Sequence, residues 1–172
     1  MTLLQSTLEL LRDRLDAAFQ GANPRSEEWV TLTNAVDLDG RVFESARNKI
    51  VMMLVGLQTD PAMRTLPARP TGVPPLNVNA LVLFVANFTD SNYPTGLGML
   101  SRAIGFFHQN PVFTHDRLPG TAPEIDRIAM DFVSLSLPET NDLMGMLGLR
   151  YMPCALYTLR TLPFVSDAGV KE

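Results

Sequence analysis

The chain has 172 residues, of which 46% are hydrophobic and 19% charged, a composition typical of a folded globular domain rather than a disordered segment. This length fits one domain with a sizeable core, because dividing it would leave two marginal cores. The 14 basic and 18 acidic residues give a net charge of −4 without any basic cluster, which argues against nucleic-acid binding.

The single cysteine, Cys154, excludes an internal disulfide and a cysteine-based zinc site, and it fits a reducing compartment. Charged residues at positions 9 and 12–14 interrupt the apolar run that a signal peptide needs. No apolar run approaches the roughly 20 residues that cross a bilayer. The sequence therefore predicts a protein that is assembled in the cytoplasm and does not insert into a membrane.

The first predicted element is an amphipathic helix over residues 3–19, where leucines and a phenylalanine recur at a spacing of three and four. Gly21 and the Asn23-Pro24 pair end it. A short β-type run at 29–34 follows, and Asp39-Gly40 then indicates a turn. Residues 50–57 are apolar except for one glycine, which is the pattern of a strand covered on both faces.

Five prolines exclude a helix or a central strand from residues 58–75, which are predicted to form a long projecting loop. Residues 78–88 have the strongest strand pattern, since every even position is apolar. Apolar residues at helical spacing predict a second helix over 97–107, which Asn110-Pro111 ends. Its glycines weaken the helix but allow close packing on the sheet.

The last third of the chain alternates between short strands and one short helix. Residues 128–137 alternate in polarity as a strand does, and residues 139–147 form a predicted helix with Gly148 at its C-terminal end. Met144 and Met146 are expected to lie in the core. Residues 151–162 are predicted to form the last strand.

Together these elements predict an α+β domain in which a mostly antiparallel β-sheet packs against an N-terminal helix and two further helices. We expect a single domain over residues 1–162 and a C-terminal tail over 163–172 that reaches outward.

No combination of residues predicts catalysis or cofactor binding. His108, His115 and Asp116 do not match a metal-ligand spacing. Cys154 has no base nearby in the sequence, so it is interpreted as a buried, inert thiol. The Gly96-Leu97-Gly98 segment lacks the third glycine and the lysine of a phosphate-binding loop. Asp37 and Asp39 are typical of a turn rather than of a calcium loop. The sequence thus predicts no enzyme, no metal and no cofactor.

A set of ordered motifs gives the chain a recognisable family resemblance. The motifs are Asn48-Lys49-Ile50-Val51, then Ala86-Asn87-Phe88 before a turn with Tyr93, then Phe106-Phe107 followed by Asn110-Pro111-Val112-Phe113-Thr114, and finally Leu147-Gly148-x-x-Tyr151-x-Pro153-x-x-x-Tyr157-x-x-Arg160. In this order they resemble the N-terminal domain of cap, or tail-terminator, proteins from extracellular contractile injection systems of the Photorhabdus virulence cassette and antifeeding prophage type. The resemblance covers residues 5–162. Met144 and Cys154 depart from it, since the family usually has tryptophan and serine there.

The resemblance implies a tail-terminator-like fold and a structural role in a phage-tail-like particle. It implies a homohexameric ring that closes the end of the inner tube and of the contractile sheath, with the tube and sheath proteins as partners. The protein would then be assembled in the cytoplasm and become part of the particle. A closed ring needs a heterologous interface between neighbouring subunits.

Two segments are the candidate contacts of such a ring. The loop around Met63, Arg64 and Arg69 is predicted to contact the ring or the tube. The arm 162–170, with Leu162, Phe164 and Val165, is predicted to pair with a sheath strand by β-augmentation. Two alternatives stay open: another structural adaptor of the same particle, at its baseplate or tube, and a small ligand-binding domain or enzyme.

Overall fold

The computed structural model describes residues 3–37, 39–41, 43–59, 76–123 and 125–164. Within these ranges, three helices and six strands form an α+β domain, as predicted from the sequence. In chain order they are α1 (Leu3–Ala22), β1 (Val30–Leu32), β2 (Lys49–Thr59), β3 (Leu76–Asn87), α2 (Tyr93–Gln109), β4 (Val112–Thr114), β5 (Arg127–Val133), α3 (Leu137–Met146) and β6 (Cys154–Phe164), with 3-10 turns at Glu44–Ala46 and Asp90–Asn92.

All six strands lie in one sheet with the order β1-β2-β3-β6-β5-β4. Of the strand pairs that the structure describes, only β1–β2 is parallel, so the predicted mostly antiparallel sheet is confirmed. Strand β4 was not predicted, because three residues are too few to show a period of two. Strand β6 begins at Cys154 rather than at position 151, and it continues through Phe164, two residues past the predicted end.

Apolar layers cover both faces of the sheet. Helices α1 and α2 pack on one face, which we call the helical face, and bury the larger core there. Phe107 of α2 is the centre of that core, with its ring centroid 5.1 Å from Phe84 and 5.0 Å from Tyr157. On the other face, which we call the opposite face, α3 packs with Ala35 and Ala46 over a smaller buried cluster.

Strand β1 is fixed to α1 by side chains that satisfy its backbone. The Asp16 carboxylate of α1 accepts hydrogen bonds from the backbone N–H groups of Trp29 at 2.5 Å and Val30 at 3.0 Å. The Arg25 guanidinium stacks 3.7 Å from the centroid of the Trp29 ring. These contacts place β1 beside β2 and also occupy one N–H group of the outermost strand.

Strand β2 is covered on both faces only in its first half. Its residues from Lys49 to Met53 are buried, whereas Leu54 is 37% exposed and Leu57 is 51% exposed. The prediction of a doubly covered strand over 50–57 is therefore wrong for its second half. The physical reason is that β1 ends opposite Met52, so the described residues give the rest of β2 no neighbour on that side.

Helix α3 has strong ends and a small buried surface. Ser136 and Glu139 form a reciprocal capping box at its start, and Gly148 has a φ of +66° just beyond its end. The predicted C-terminal role of Gly148 is thereby confirmed. Met144 is buried, as predicted, but Met146 is 65% exposed, so its assignment to the core is wrong. It lies on the solvent side of this helix.

The N-terminus of α2 packs closely against the end of β3. A Cβ atom on Gly96 would lie 2.8 Å from the Cβ of Phe88, which is closer than carbon atoms pack. By contrast, a Cβ atom on Gly98 or Gly105 would meet nothing within 4 Å. Of the three glycines that predicted close packing of this helix on the sheet, only Gly96 lies at such a contact.

We expect Gly96→Ala to lower the free energy of unfolding by about 1–3 kcal/mol, because the added methyl group forces Phe88 or the helix to move. The matched control, Gly98→Ala, lies in the same helix without a steric conflict. It should leave stability unchanged or raise it by up to about 1 kcal/mol, since alanine favours helix. Urea unfolding of the two variants measures this contrast. Equal effects would contradict the packing argument.

Candidate interaction surfaces

The structure describes only part of the predicted contact segments. Met63, Arg64, Arg69 and Val165 lie outside the described residues. Leu162 is fully buried within β6, where it pairs with Val78, so its side chain belongs to the core of the single chain. Phe164 is the last described residue and pairs with Leu76.

Both candidate segments leave the sheet at the same end. Residues 60–75 connect Thr59 at the end of β2 to Leu76 at the start of β3. Residues 165–172 follow Phe164, which is the Cα partner of Leu76. Residues 60–75 therefore end beside the point where residues 165–172, the greater part of the predicted arm, begin, a proximity that the sequence could not show without the register of β3 and β6.

The residues considered for chemistry form no reactive site. His108 and His115 are both exposed, and the described residues contain no cluster of three or more potential metal ligands. Burial raises the pKa of the Cys154 thiol, so at neutral pH it is protonated and a poor nucleophile. The structure shows this thiol as half-buried rather than fully buried.

The two aspartates that might have formed a cation loop instead close a turn. The Asp37 carboxylate accepts hydrogen bonds from the backbone N–H groups of Asp39 at 2.9 Å and Arg41 at 2.8 Å. Gly40 has a φ of +76°, which the turn requires. Both of these hydrogen bonds to the Asp37 carboxylate lie within the turn, in agreement with the turn predicted for Asp37 and Asp39.

Exposed apolar side chains occupy both long edges of the sheet. At the β2 edge, Leu54 and Leu57 are exposed, and their Cα partners Val82 and Ala80 belong to the core of the helical face. At the β5 edge, Phe132 is 55% exposed although its ring lies 5.4 Å from that of Tyr157. Apolar side chains at such positions stay exposed to water unless a partner packs against them.

A third apolar surface lies where α3 meets the start of β6. Leu137 is 84% exposed and Tyr151 is 71% exposed. A shallow cavity of about 300 Å³ runs between them and the end of β5. A larger groove of about 540 Å³ continues from Tyr151 toward Tyr93 and Phe88. Tyr93 and Tyr151 entered the sequence analysis only as motif residues, and no pattern in the sequence indicated that they and Leu137 are exposed on one surface.

The arrangement is suited to protein contacts rather than to chemistry. Its exposed groups are leucine, methionine and aromatic side chains, and the ion pair between Arg160 and Asp131, at 2.6 Å, lies among exposed residues of the sheet. In the part of the chain that the structure describes, no helix combines the length and apolarity that crossing a membrane requires.

The solved structures that share this fold include two terminator proteins. One is the sheath/tube terminator of an extracellular contractile injection system, PVC, in its extended state, with a TM-score of 0.63 and 14% identity over 96% of this chain. The other is the tube-terminating cap of the anti-feeding prophage, with a TM-score of 0.56 and 14% identity over 100% of this chain. The match spans 58% of each of those chains.

Sequence comparison gives the family directly. No curated protein matches significantly. The model of the Pvc16 N-terminal domain matches residues 6–172, which is nearly the whole chain. The ordered motifs, the α+β fold and this match agree, and the chain belongs to the Pvc16 N-terminal domain family.

Proposed function

We propose that this protein is a structural cap, or tail terminator, of a phage-tail-like contractile injection particle. The observation that carries the proposal is the family match over residues 6–172, together with a fold shared with two terminator proteins over at least 96% of this chain. A role without catalysis is consistent with the exposed histidines and the protonated thiol described above.

The proposed cap is a homohexameric ring that closes the inner tube, anchors the end of the sheath and is assembled in the cytoplasm. A ring of identical subunits joins two different surfaces of each copy. The separate apolar surfaces at the β2 edge and the β5 edge support such an arrangement. The position of Leu76 beside Phe164 brings residues 60–75 and the predicted arm to one end of the sheet, which supports a single rim that meets the tube and the sheath.

Removing the gene from a particle-producing strain tests the role of the cap. We expect particles that lack density at one end, with tubes or sheaths of irregular length, because no terminator stops their growth. Electron microscopy of purified particles measures this, and a strain complemented with the intact gene is the control. Particles of normal length with an unchanged end would contradict the proposal and favour another adaptor role or an enzyme.

The arm is proposed to add a strand to a sheath subunit. Since main-chain hydrogen bonds would carry that contact, replacing Ser166 and Ala168 together by proline should impair capping as strongly as deleting residues 165–172, because each proline removes a donor. The matched control exchanges the same positions as Ser166→Ala and Ala168→Ser and should cap normally. Particle length and sheath attachment in micrographs are the readout. Normal sheaths on the proline variant would reject the arm.

The loop is proposed to contact the ring or the tube through Met63 and two arginines. Reversing both charges, as Arg64→Glu with Arg69→Glu, should reduce the fraction of capped tubes while the purified chain keeps its thermal stability. Arg14→Glu, an exposed change on α1, is the matched control. If the loop variant caps as well as the control, these arginines do not contact the tube or the ring.

A further inference from the structure

Among the described residues, β1 covers only half of the sheet edge formed by β2. The Ile50 N–H donates to the Trp29 carbonyl at 2.8 Å, and the Thr33 N–H donates to the Met52 carbonyl at 3.3 Å, so residues 50 and 52 face β1. By the same alternation Leu54 directs its N–H and C=O toward this edge. The described residues place no strand beside 54–58 there.

At the other edge of the sheet, β4 covers the first half of β5 and leaves the second half without a described neighbour. Strand β4 pairs with residues 127–129 of β5, and the Met130 N–H donates to the Pro111 carbonyl at 2.9 Å. The alternation directs the N–H and C=O of Phe132 toward the same edge. Among the described residues, no strand lies beside Phe132, since the chain before Pro111 turns into α2.

The two gaps are related by the register of the sheet. Cα partners run in one row across four strands, from Phe132 to Tyr157 to Val82 to Leu54. Strand β1 covers the sheet edge on one side of this row, and β4 covers the opposite edge on the other side of it. The sheet therefore ends in two complementary steps.

Strand direction is also compatible with joining these steps. Strands β1, β2, β6 and β4 run one way, while β3 and β5 run the other way. A second copy placed beside the first without inversion would set its β1 antiparallel to the β5 of the first copy. The β4 of the first copy would then lie parallel to the second copy's β2. The exposed side chains of Leu54, Leu57 and Phe132 would all meet on the helical face.

We propose that copies of this chain join edge to edge at these steps, with β1 of one copy beside the open part of β5 of the next. In the same contact, β4 would fill the gap beside residues 54–58 of β2. This inference rests on the proposed function, because it supplies the subunit contact of the ring. It assigns that contact to main-chain pairing across a continuous sheet rather than to the packing of separate domains.

The occupant is a second copy because the two gaps lie at complementary positions on either side of one row of Cα partners. Native proteins usually guard an open edge with charge, proline or a bulge. Here a bulge lies between Leu54 and Gly56 in the open part of β2, and the Asp16 carboxylate occupies the N–H of Val30 in β1. The exposed side chains beside both gaps are nevertheless leucine and phenylalanine rather than charged residues or proline. A step at each end of one sheet makes a head-to-tail contact that repeats from copy to copy.

The test compares purified variants at the highest soluble concentration by native mass spectrometry. Leu54→Glu damages one edge and Phe132→Glu the other, and each should yield monomers where the unmodified chain yields oligomers. Leu97→Glu, at a residue 41% exposed on α2, is the matched control and should assemble normally. Leu57→Glu and Val112→Asp repeat the test at each edge if Leu54→Glu or Phe132→Glu unfolds, as judged by circular dichroism.

Mixing the two edge variants identifies the geometry. Each variant retains the edge that the other has lost, so the mixture should form one-to-one dimers and nothing larger. A mixture that stays monomeric, an edge variant that assembles like the control, or an unmodified chain that stays monomeric would overturn the inference. Edge variants that assemble normally but leave tubes uncapped would also overturn it and would assign these edges to a tube or sheath strand.

The gene-removal experiment separates this inference from the proposed function. If removal gives uncapped particles while both edge variants still form oligomers, the cap role stands and the edge contact fails. If removal leaves particles unchanged while the edge variants are monomeric, the contact stands and the cap role fails.

Discussion

The buried state of β3 is the constraint on which the rest of the fold depends. Nearly all of its residues from Val78 to Asn87 are buried, on both faces of the sheet. A strand of this kind is stable only if both of its neighbours pair fully and both faces are covered. The positions of β2, β6 and all three helices follow from that requirement. The close approach of Gly96 to Phe88 is one local consequence of it.

Periodicity predicted the elements that share in this central packing. The leucine spacing of α1 and the alternation of β3 follow from which of their side chains are buried, so both elements could be predicted from the sequence. The second half of β2 has the same apolar character as its first half but lies exposed. Composition shows that a strand is apolar but not whether other residues of the chain cover it, so the exposure of Leu54 and Leu57 could not be predicted.

The sequence predicted the family of the protein but not the sheet edges that could form contacts. Ordered motifs identified the family, because residues such as Asn110-Pro111 and Gly148 fix turns that the fold requires. The sheet edges were not predictable, since they depend on where β1 and β4 stop. Strands β1 and β4 have three residues each. Only the Cα register shows that the parts of β2 and β5 that they leave unpaired lie at the two ends of one row across the sheet. The arm was predicted to begin at Leu162, whereas pairing with β3 holds the chain through Phe164.

The pairing of Leu76 with Phe164 has a consequence for any assembly in which all copies point the same way. Residues 60–75 and 165–172 then begin at one rim, while Tyr151 and the exposed end of α3 lie at the other. In the proposed ring, these rims would give two sides of different chemistry. A layer seated on one side would then leave a different surface exposed on the other side, so the ring itself would stop further stacking without a separate stop signal.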